Sequence, residues 1–109
     1  MSWDFWMEAD VGGKEPVDIG FDANYTYNVS PMFYDAFNLE EGIRGLDKML
    51  GDEAMPYLEN AIIKMKENPK KYKAMNPSNG WGDYDTALEL LEKLLGWCIE
   101  APKAQMRVG

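Results

Sequence analysis

The sequence contains no histidine and only one cysteine. The absence of histidine excludes metal sites built on imidazole ligands, Ser/His/Asp and Cys/His catalytic triads, and the commonest general base at neutral pH. The single cysteine, Cys98, excludes a disulfide within the chain, and its place on the apolar stripe of a predicted helix is typical of a buried, unreactive thiol. We therefore predict a protein with no catalytic residues, no metal site and no cofactor.

Long apolar runs and an excess of basic residues are also missing. The longest apolar runs are far below the roughly 18 residues needed to span a bilayer, and residues 1–11 lack the cationic start and apolar stretch of a signal peptide. The net charge of -8 repels the phosphates of nucleic acids and of anionic membranes. We expect a cytoplasmic protein that binds neither. Five lysines fall in residues 64–73, where we favour a solvated helix end over a small anion-binding patch.

Apolar residues are plentiful enough for one folded domain over residues 1–109, since 46% of the chain is hydrophobic and 13% is aromatic. Apolar side chains alternate with polar ones in residues 2–11 and again in residues 17–29, on either side of a turn. This period of two predicts a long β-hairpin, bent at Gly20. The same alternation in residues 104–108 predicts a short third strand.

Helical spacing governs the segment between these two ends, and its last helix is the clearest. The predicted elements are a short helix over residues 32–38 entered at Ser30 and Pro31, a helical stretch over residues 39–50 that stops at Gly51, a helix capped by Asp52 with Pro56 in its first turn, a short turn from Pro69 to Met75, and a helix capped by Asp83 that ends at Pro102. The apolar stripe of the last helix is Tyr84, Ala87, Leu88, Leu91, Leu94, Leu95 and Cys98.

These elements predict an α+β fold, in which an antiparallel β-hairpin plus a short C-terminal strand is packed on one face by about four helices. The other sheet face would carry acidic and amide side chains, with Trp6 as the one aromatic interruption. If the first strand is a sheet edge, it is also a template for pairing with another chain. We therefore predict a homodimer with Trp6 in its interface, and a solvated face as the alternative.

Two polar and aromatic segments are the candidate binding site. In residues 24–32 a strand delivers amide and hydroxyl groups to a helix start, whose free N–H groups suit an anionic group. In residues 76–84 glycines flank Trp81, whose ring could stack on a flat ligand. The candidate ligand-binding residues are Asn24, Tyr25, Thr26, Asn28, Ser30, Asn76, Asn79, Trp81 and Tyr84. The alternatives are simple turn capping in the first segment and a Trp81 buried in the core in the second.

The two segments NYTYNVSPM (residues 24–32) and NPSNGWGDY (residues 76–84), in a short acidic chain that opens with a Trp-rich strand, resemble small uncharacterised acidic proteins of tailed phages and bacterial genomes. The resemblance spans most of the chain and implies no activity and no catalytic residue. It implies a setting in which small phage proteins interfere with host machinery, either by mimicking acidic surfaces or by sequestering nucleotide signals.

Three functions remain open from the sequence. The first is a non-catalytic protein that binds a small ligand with a flat ring, such as a nucleotide signal sequestered in a phage anti-defence setting. The alternative is an acidic interaction module that docks a basic host partner. The third is a carboxylate enzyme using a divalent cation, for which the pairs Asp83 with Asp85 and Glu40 with Glu41 are the candidates.

Overall fold

The computed structural model describes residues 1–109 and confirms the α+β class, with four helices and a three-stranded antiparallel sheet. The strands are β1 (Ser2–Ala9), β2 (Val17–Thr26) and β3 (Gln105–Val108). The helices are α1 (Ser30–Ala36), α2 (Gly51–Glu67), α3 (Pro69–Lys73) and α4 (Tyr84–Glu100), with 3-10 turns at Tyr27–Val29 and Gly42–Leu46. None of these helices is both long enough and apolar enough to cross a bilayer.

The strand order is β2-β1-β3, so β1 is the central strand. The expectation that the first strand forms a sheet edge is therefore wrong. The reason is that β3 pairs antiparallel with β1, with Trp6 opposite Arg107. The far side of β3 is covered as well, because Met106 exchanges backbone hydrogen bonds of 2.7 Å with Lys48 and Met49. The open edge of the sheet is β2.

The predicted bend of the hairpin is confirmed at Gly20. The register between β1 and β2 shifts between Trp6 and Glu8, so that β2 bulges at this point. Gly20 has a φ of +94°, which a side chain would strain, and its N–H donates to the Asp18 carboxylate at 2.8 Å. Near the tip of the hairpin the strands are more exposed, and Val17 is 44% exposed.

The predicted last helix is confirmed in its bounds and in its cap. The Asp83 side chain accepts a hydrogen bond of 2.8 Å from the N–H of Thr86 at the start of α4. The buried stripe is rotated slightly from the predicted one, because the sheet and α2 contact different sides of the helix. Leu90 and Trp97 are buried in place of Leu88 and Leu95, which are half-buried.

The helix predicted over residues 39–50 does not form, and a 3-10 turn and an extended segment take its place. Two positive φ angles interrupt it, at Gly42 (+60°) and at Lys48 (+74°). Residues 48–50 instead run beside β3, so the sheet takes the backbone bonds that a helix would have made. Pairing with β3 therefore prevents the helix that the apolar spacing predicts. The apolar residues Ile43 and Leu46 are nevertheless buried in the core.

The start of α2 also differs from its prediction. The helix begins at Gly51, and Leu50 rather than Asp52 occupies the capping position, where the Glu53 carboxylate accepts from the Leu50 N–H at 3.0 Å. Pro56 therefore lies in the second turn, not the first. Its missing N–H leaves the Asp52 carbonyl without its helical donor. Gly51 is required here, because a Cβ would lie 2.7 Å from the carbonyl oxygen of Ala101.

The helices pack on one sheet face, and no polar or charged residue is buried among them. Tyrosine hydroxyls that reach the interior find acceptors. The Tyr72 hydroxyl donates at 2.6 Å to the Asp35 carboxylate, which also pairs with the Lys71 ammonium at 2.9 Å. The hydrogen bond from Tyr72, followed by that from Lys71, lowers the pKa of Asp35. Part of the lysine-rich segment therefore neutralises Asp35 and joins α3 to α1.

We expect Asp35→Asn to lower the free energy of unfolding by about 1 kcal/mol at neutral pH, since the buried Tyr72 hydroxyl exchanges a charged acceptor for a neutral one. Because the pKa of Asp35 is lowered in the folded state, its charge stabilises the fold above its unfolded pKa of about 4. That stabilisation is lost as the pH falls through the folded pKa, so the two proteins should converge in acid.

Urea unfolding at a series of pH values measures this difference. Asp52→Asn is the matched control, because Asp52 pairs only with the exposed Lys103 and should change stability less. A difference that stays constant from neutral to acidic pH would contradict the role of the Asp35 charge.

Candidate functional site

The two predicted binding segments meet in the structure at Gly82. A Cβ on Gly82 would lie 2.7 Å from Thr26 Cγ2 and 2.9 Å from Val29 Cγ1, and its φ is +85°. The Tyr25 hydroxyl joins the same junction: it accepts from the N–H of Asp83 at 3.3 Å and shares a 2.7 Å hydrogen bond with Thr86 Oγ1. The sequence therefore predicted this juxtaposition correctly.

The polar groups of the first segment have hydrogen-bond partners within the protein rather than being presented to a ligand. Asn24 Nδ2 donates at 2.8 Å to the Asp4 carboxylate. Both side chains lie on the outer sheet face, the face opposite the helices. Thr26 Oγ1 accepts from both the backbone N–H and the side-chain amide of Asn28. Burial raises the pKa of the Tyr25 hydroxyl, which stays protonated at neutral pH.

The second segment is held in the same way. Asn76 Oδ1 accepts from the N–H of Tyr84 at 2.9 Å, and Asn79 Oδ1 accepts from the N–H of Trp81 at 3.0 Å. Trp81 is 67% exposed, so the alternative of a core tryptophan is wrong. Tyr84 is buried and its hydroxyl donates to the carbonyl oxygen of Met65, so its ring is not a stacking surface.

The predicted anion site at the start of α1 has little to offer a ligand. Ser30 is the first residue of the helix rather than its cap, and its hydroxyl donates to the carbonyl oxygen of Tyr27. The capping position belongs to Val29, which has no side-chain acceptor. None of the four cavities on the protein is lined by residues of both predicted segments.

A cavity of about 190 Å³ lies on the other side of the Tyr27–Val29 turn, and Ser30 is the one predicted site residue that lines it. Most of its walls are aromatic or aliphatic, and its rim carries one acidic and one basic side chain. The lining residues are Trp3, Tyr27, Ser30, Phe33, Tyr34, Glu41, Ile43 and Arg44. We call it the Trp3 cavity. Its walls are fixed by ring contacts, with Trp3 4.8 Å from Tyr27 and 5.7 Å from Phe33 between ring centroids.

Three of the residues that line the Trp3 cavity carry polar groups without partners in the chain. Trp3 is 5% exposed, yet its indole N–H has no acceptor and is not sealed from solvent. Trp3 lines no other cavity of the protein. At the rim, neither the Arg44 guanidinium nor the Glu41 carboxylate forms an ion pair within 4.0 Å.

No family model matches the chain, and no curated protein or solved structure matches it. The Trp3 cavity was missed from the sequence because period-two spacing assigns Trp3 to the core side of β1, which is correct for its ring. The signal that could have identified the cavity is Arg44, a lone cation in a turn among apolar residues.

The outer sheet face satisfies most of its own polar groups. The indole N–H of Trp6 donates to Glu8 at 2.8 Å, and the Arg107 guanidinium lies 5.5 Å from the centre of the Trp6 ring. Arg107 also pairs with Glu8 at 3.1 Å and with Asp47 at 3.0 Å. A dimer through Trp6 stays a prediction, but it would have to displace or extend these contacts.

Neither of the two carboxylate pairs forms a metal site in the structure, where no group of three or more acidic or cysteine side chains is placed to hold an ion. Asp83 is occupied as the cap of α4, and hydrogen bonds from the backbone and side chain of Thr86 lower its pKa. Cys98 is buried, and burial raises the pKa of its thiol to about 11, which keeps it protonated and unreactive at neutral pH.

Proposed function

We propose that this chain is a non-catalytic protein that binds a small ligand with a flat ring and an anionic group, of which a nucleotide is the leading candidate. The observation that carries the proposal is the Trp3 cavity, whose lining combines aromatic rings with a tryptophan and an arginine that have unpaired N–H donors. Small-ligand sites commonly combine apolar walls with a few polar groups that fix orientation. The Trp3 cavity therefore takes the place of the predicted binding site, whose two segments meet at Gly82.

The volume of the Trp3 cavity limits how much of a ligand it takes. Its 190 Å³ exceeds the roughly 150 Å³ that admits a benzene ring but is below the 300 Å³ or so of sites for drug-sized ligands. A single base-sized ring fits, and the remainder of a nucleotide would lie outside. The indole N–H of Trp3 would then donate to a ring acceptor.

The rim of the Trp3 cavity favours a negative charge on the part of the ligand that lies outside it. The Arg44 guanidinium is exposed and unpaired, and its planar donors match the oxygens of a phosphate or carboxylate. Glu41, also at the rim, would accept from a ribose hydroxyl or a ring amine. The ring of the ligand would therefore occupy the Trp3 cavity, and its phosphate would pair with Arg44.

Calorimetric titration with uridine monophosphate and with uridine tests both assignments. We expect Arg44→Gln to weaken binding of the monophosphate by about tenfold to a hundredfold, the worth of a hydrogen bond to a charged group, and to leave uridine binding nearly unchanged. Lys14→Gln is the matched control, because it removes the same charge from the exposed hairpin turn. Equal effects of the two variants would mean that Arg44 acts only through its net charge and does not contact the phosphate.

Trp3→Phe tests the cavity itself, since it keeps an aromatic wall and removes the indole donor. Weaker binding of both compounds by this variant would support the assignment of the ring. Failure of the wild-type protein to bind either compound would refute the nucleotide proposal. Sequestration of a nucleotide signal in a phage setting, which the resemblance implies, remains a prediction that rests on this binding.

A further inference from the structure

The open edge of β2 carries unpaired backbone groups. The N–H of Tyr27 donates to the carbonyl oxygen of Met1 at 3.1 Å, which identifies a hydrogen-bonded pair between β1 and β2. Such pairs alternate along an antiparallel ladder, so the backbone bonds of Ala23 and Tyr25 also point to β1. The N–H and C=O groups of Asp22 and Asn24 therefore point away from the sheet.

The other side of β1 agrees with this assignment. Asp4 lies opposite Asn24, and its N–H and C=O exchange hydrogen bonds of 2.9 and 2.8 Å with Gly109, on the side of β3. Because a residue in an extended strand directs both of its backbone groups to one side, the backbone groups of Asp4 are not bonded to those of Asn24. No other backbone hydrogen bond reaches Asp22 or Asn24 outside the regular strands.

A groove of about 280 Å³ adjoins this edge. It lies between β2 and α4, with Ala23 and Tyr25 on one side and Thr86, Glu89 and Lys93 on the other. The helix runs antiparallel to the strand beneath it, since the Tyr25 hydroxyl bonds Thr86 while the Phe21 ring stacks on Trp97 at 5.5 Å. A strand added to the edge would therefore lie above the exposed face of α4.

Gly96 leaves that face of α4 without a side chain at this position. It lies seven residues after Glu89 and three after Lys93, and so on the same side of α4. No heavy atom lies within 4 Å of the position that its Cβ would occupy, so packing does not require a glycine. Glycine inside a helix costs about 1 kcal/mol relative to alanine. An unforced glycine at this point is consistent with a surface that another chain covers.

Alternate side chains of an added strand would meet two different environments. Those on the inner side would contact the groove floor, which includes the apolar side chains of Ala23 and Leu90. Those on the outer side would neighbour Asp22, whose carboxylate has no hydrogen bond or ion pair. A second copy of this chain would oppose its own acidic residues here, with -8 on each copy. Two acidic side chains, Asp22 and Glu89, outnumber the one basic side chain at this edge, Lys93, so charge complementarity favours a basic partner.

We propose that β2 binds an extended segment of another protein, with alternating apolar and basic residues, as a fourth strand of the sheet. The backbone of the segment would bond Asp22 and Asn24, its apolar side chains would enter the groove beside Leu90, and its basic side chains would pair with Asp22 on the outer face and Glu89 at the rim. This docking site is independent of the Trp3 cavity and of the ligand proposed there.

Amide hydrogen exchange followed by NMR tests the strand addition residue by residue. The probes are a short synthetic peptide in which valine and arginine alternate, and a second peptide of the same composition in which all valines precede the arginines. In the free protein the amides of Asp22 and Asn24 should exchange rapidly, while those of Ala23 and Tyr25 are protected. Saturation with the alternating peptide should slow the two edge amides by about tenfold or more.

Charge reversal at the groove provides the second readout. Glu89→Lys should weaken binding of the alternating peptide by about fivefold, the effect of one partly exposed ion pair, and the loss should shrink as salt is added. Glu59→Lys is the matched control, because Glu59 is exposed on α2, forms no ion pair and lines no cavity. Both variants change exposed side chains, so both should fold.

Three results would overturn the proposal. The first is equal binding of the two peptides, which would mean charge attraction without strand pairing. The second is protection of the Asp22 and Asn24 amides in the dilute free protein. The third is protection that rises with protein concentration in the absence of peptide, together with a dimer in sedimentation, which would assign the edge to a second copy of this chain.

Discussion

Gly82→Ala is expected to lower the free energy of unfolding by about 2 to 5 kcal/mol, one of the two largest losses predicted for a single substitution here. A left-handed φ costs a residue with a Cβ roughly 1 to 2 kcal/mol, and Gly82 has a φ of +85°. Overpacking of a filled site adds about 1 to 3 kcal/mol, and the new Cβ would approach Thr26 and Val29 within 3.0 Å.

Gly80→Ala separates these two contributions, because Gly80 has a φ of +76° in the same loop but no heavy atom within 4 Å of the Cβ position. This variant should lose only the backbone cost of about 1 to 2 kcal/mol. Chemical denaturation of both variants against wild type measures the difference. Equal losses would indicate that residues 76–84 do not pack against β2 as described.

The second large effect is expected at Leu91, which is fully buried in the middle of α4. Leu91→Ala should lower the free energy of unfolding by about 2 to 5 kcal/mol, as other truncations of buried leucines do, because the rigid surroundings of α4 collapse only partly around the lost volume. Leu88→Ala, at a half-buried position of the same helix, should cost less. A loss below about 1 kcal/mol at Leu91 would contradict its place in the core.

The parts of the fold that the sequence predicts well are those where one period runs without interruption. Alternation in β1 requires only that Trp3, Phe5 and Met7 share a face, which the structure confirms. The α4 stripe is long enough for its period to be unambiguous, and Asp83 marks its start. The prediction of a helix over residues 39–50 was wrong because a 3-10 turn also satisfies their apolar spacing. Pairing with β3, which is distant in sequence, decides between the helix and the turn.

The candidate site was harder to predict, for a physical reason. Polar residues such as Asn76 and Asn79 are typical both of ligand contacts and of turns, and here their side chains bond backbone N–H groups of their own loop. The Trp3 cavity is formed by residues whose spacing indicates a core. The shape of the cavity also depends on where the exposed residues Tyr34 and Arg44 lie in three dimensions, which no sequence period reports.

The central position of β1 has a consequence for synthesis on the ribosome. β1 is translated before both of its neighbours: β2 follows soon afterwards, but β3 only when residues 105–108 have been made. Until then one edge of β1 and the core-facing side chains near it remain uncovered. Contacts between residues far apart in sequence form slowly. The uncovered edge of β1 is therefore a site where the nascent chain can aggregate before β3 pairs with it.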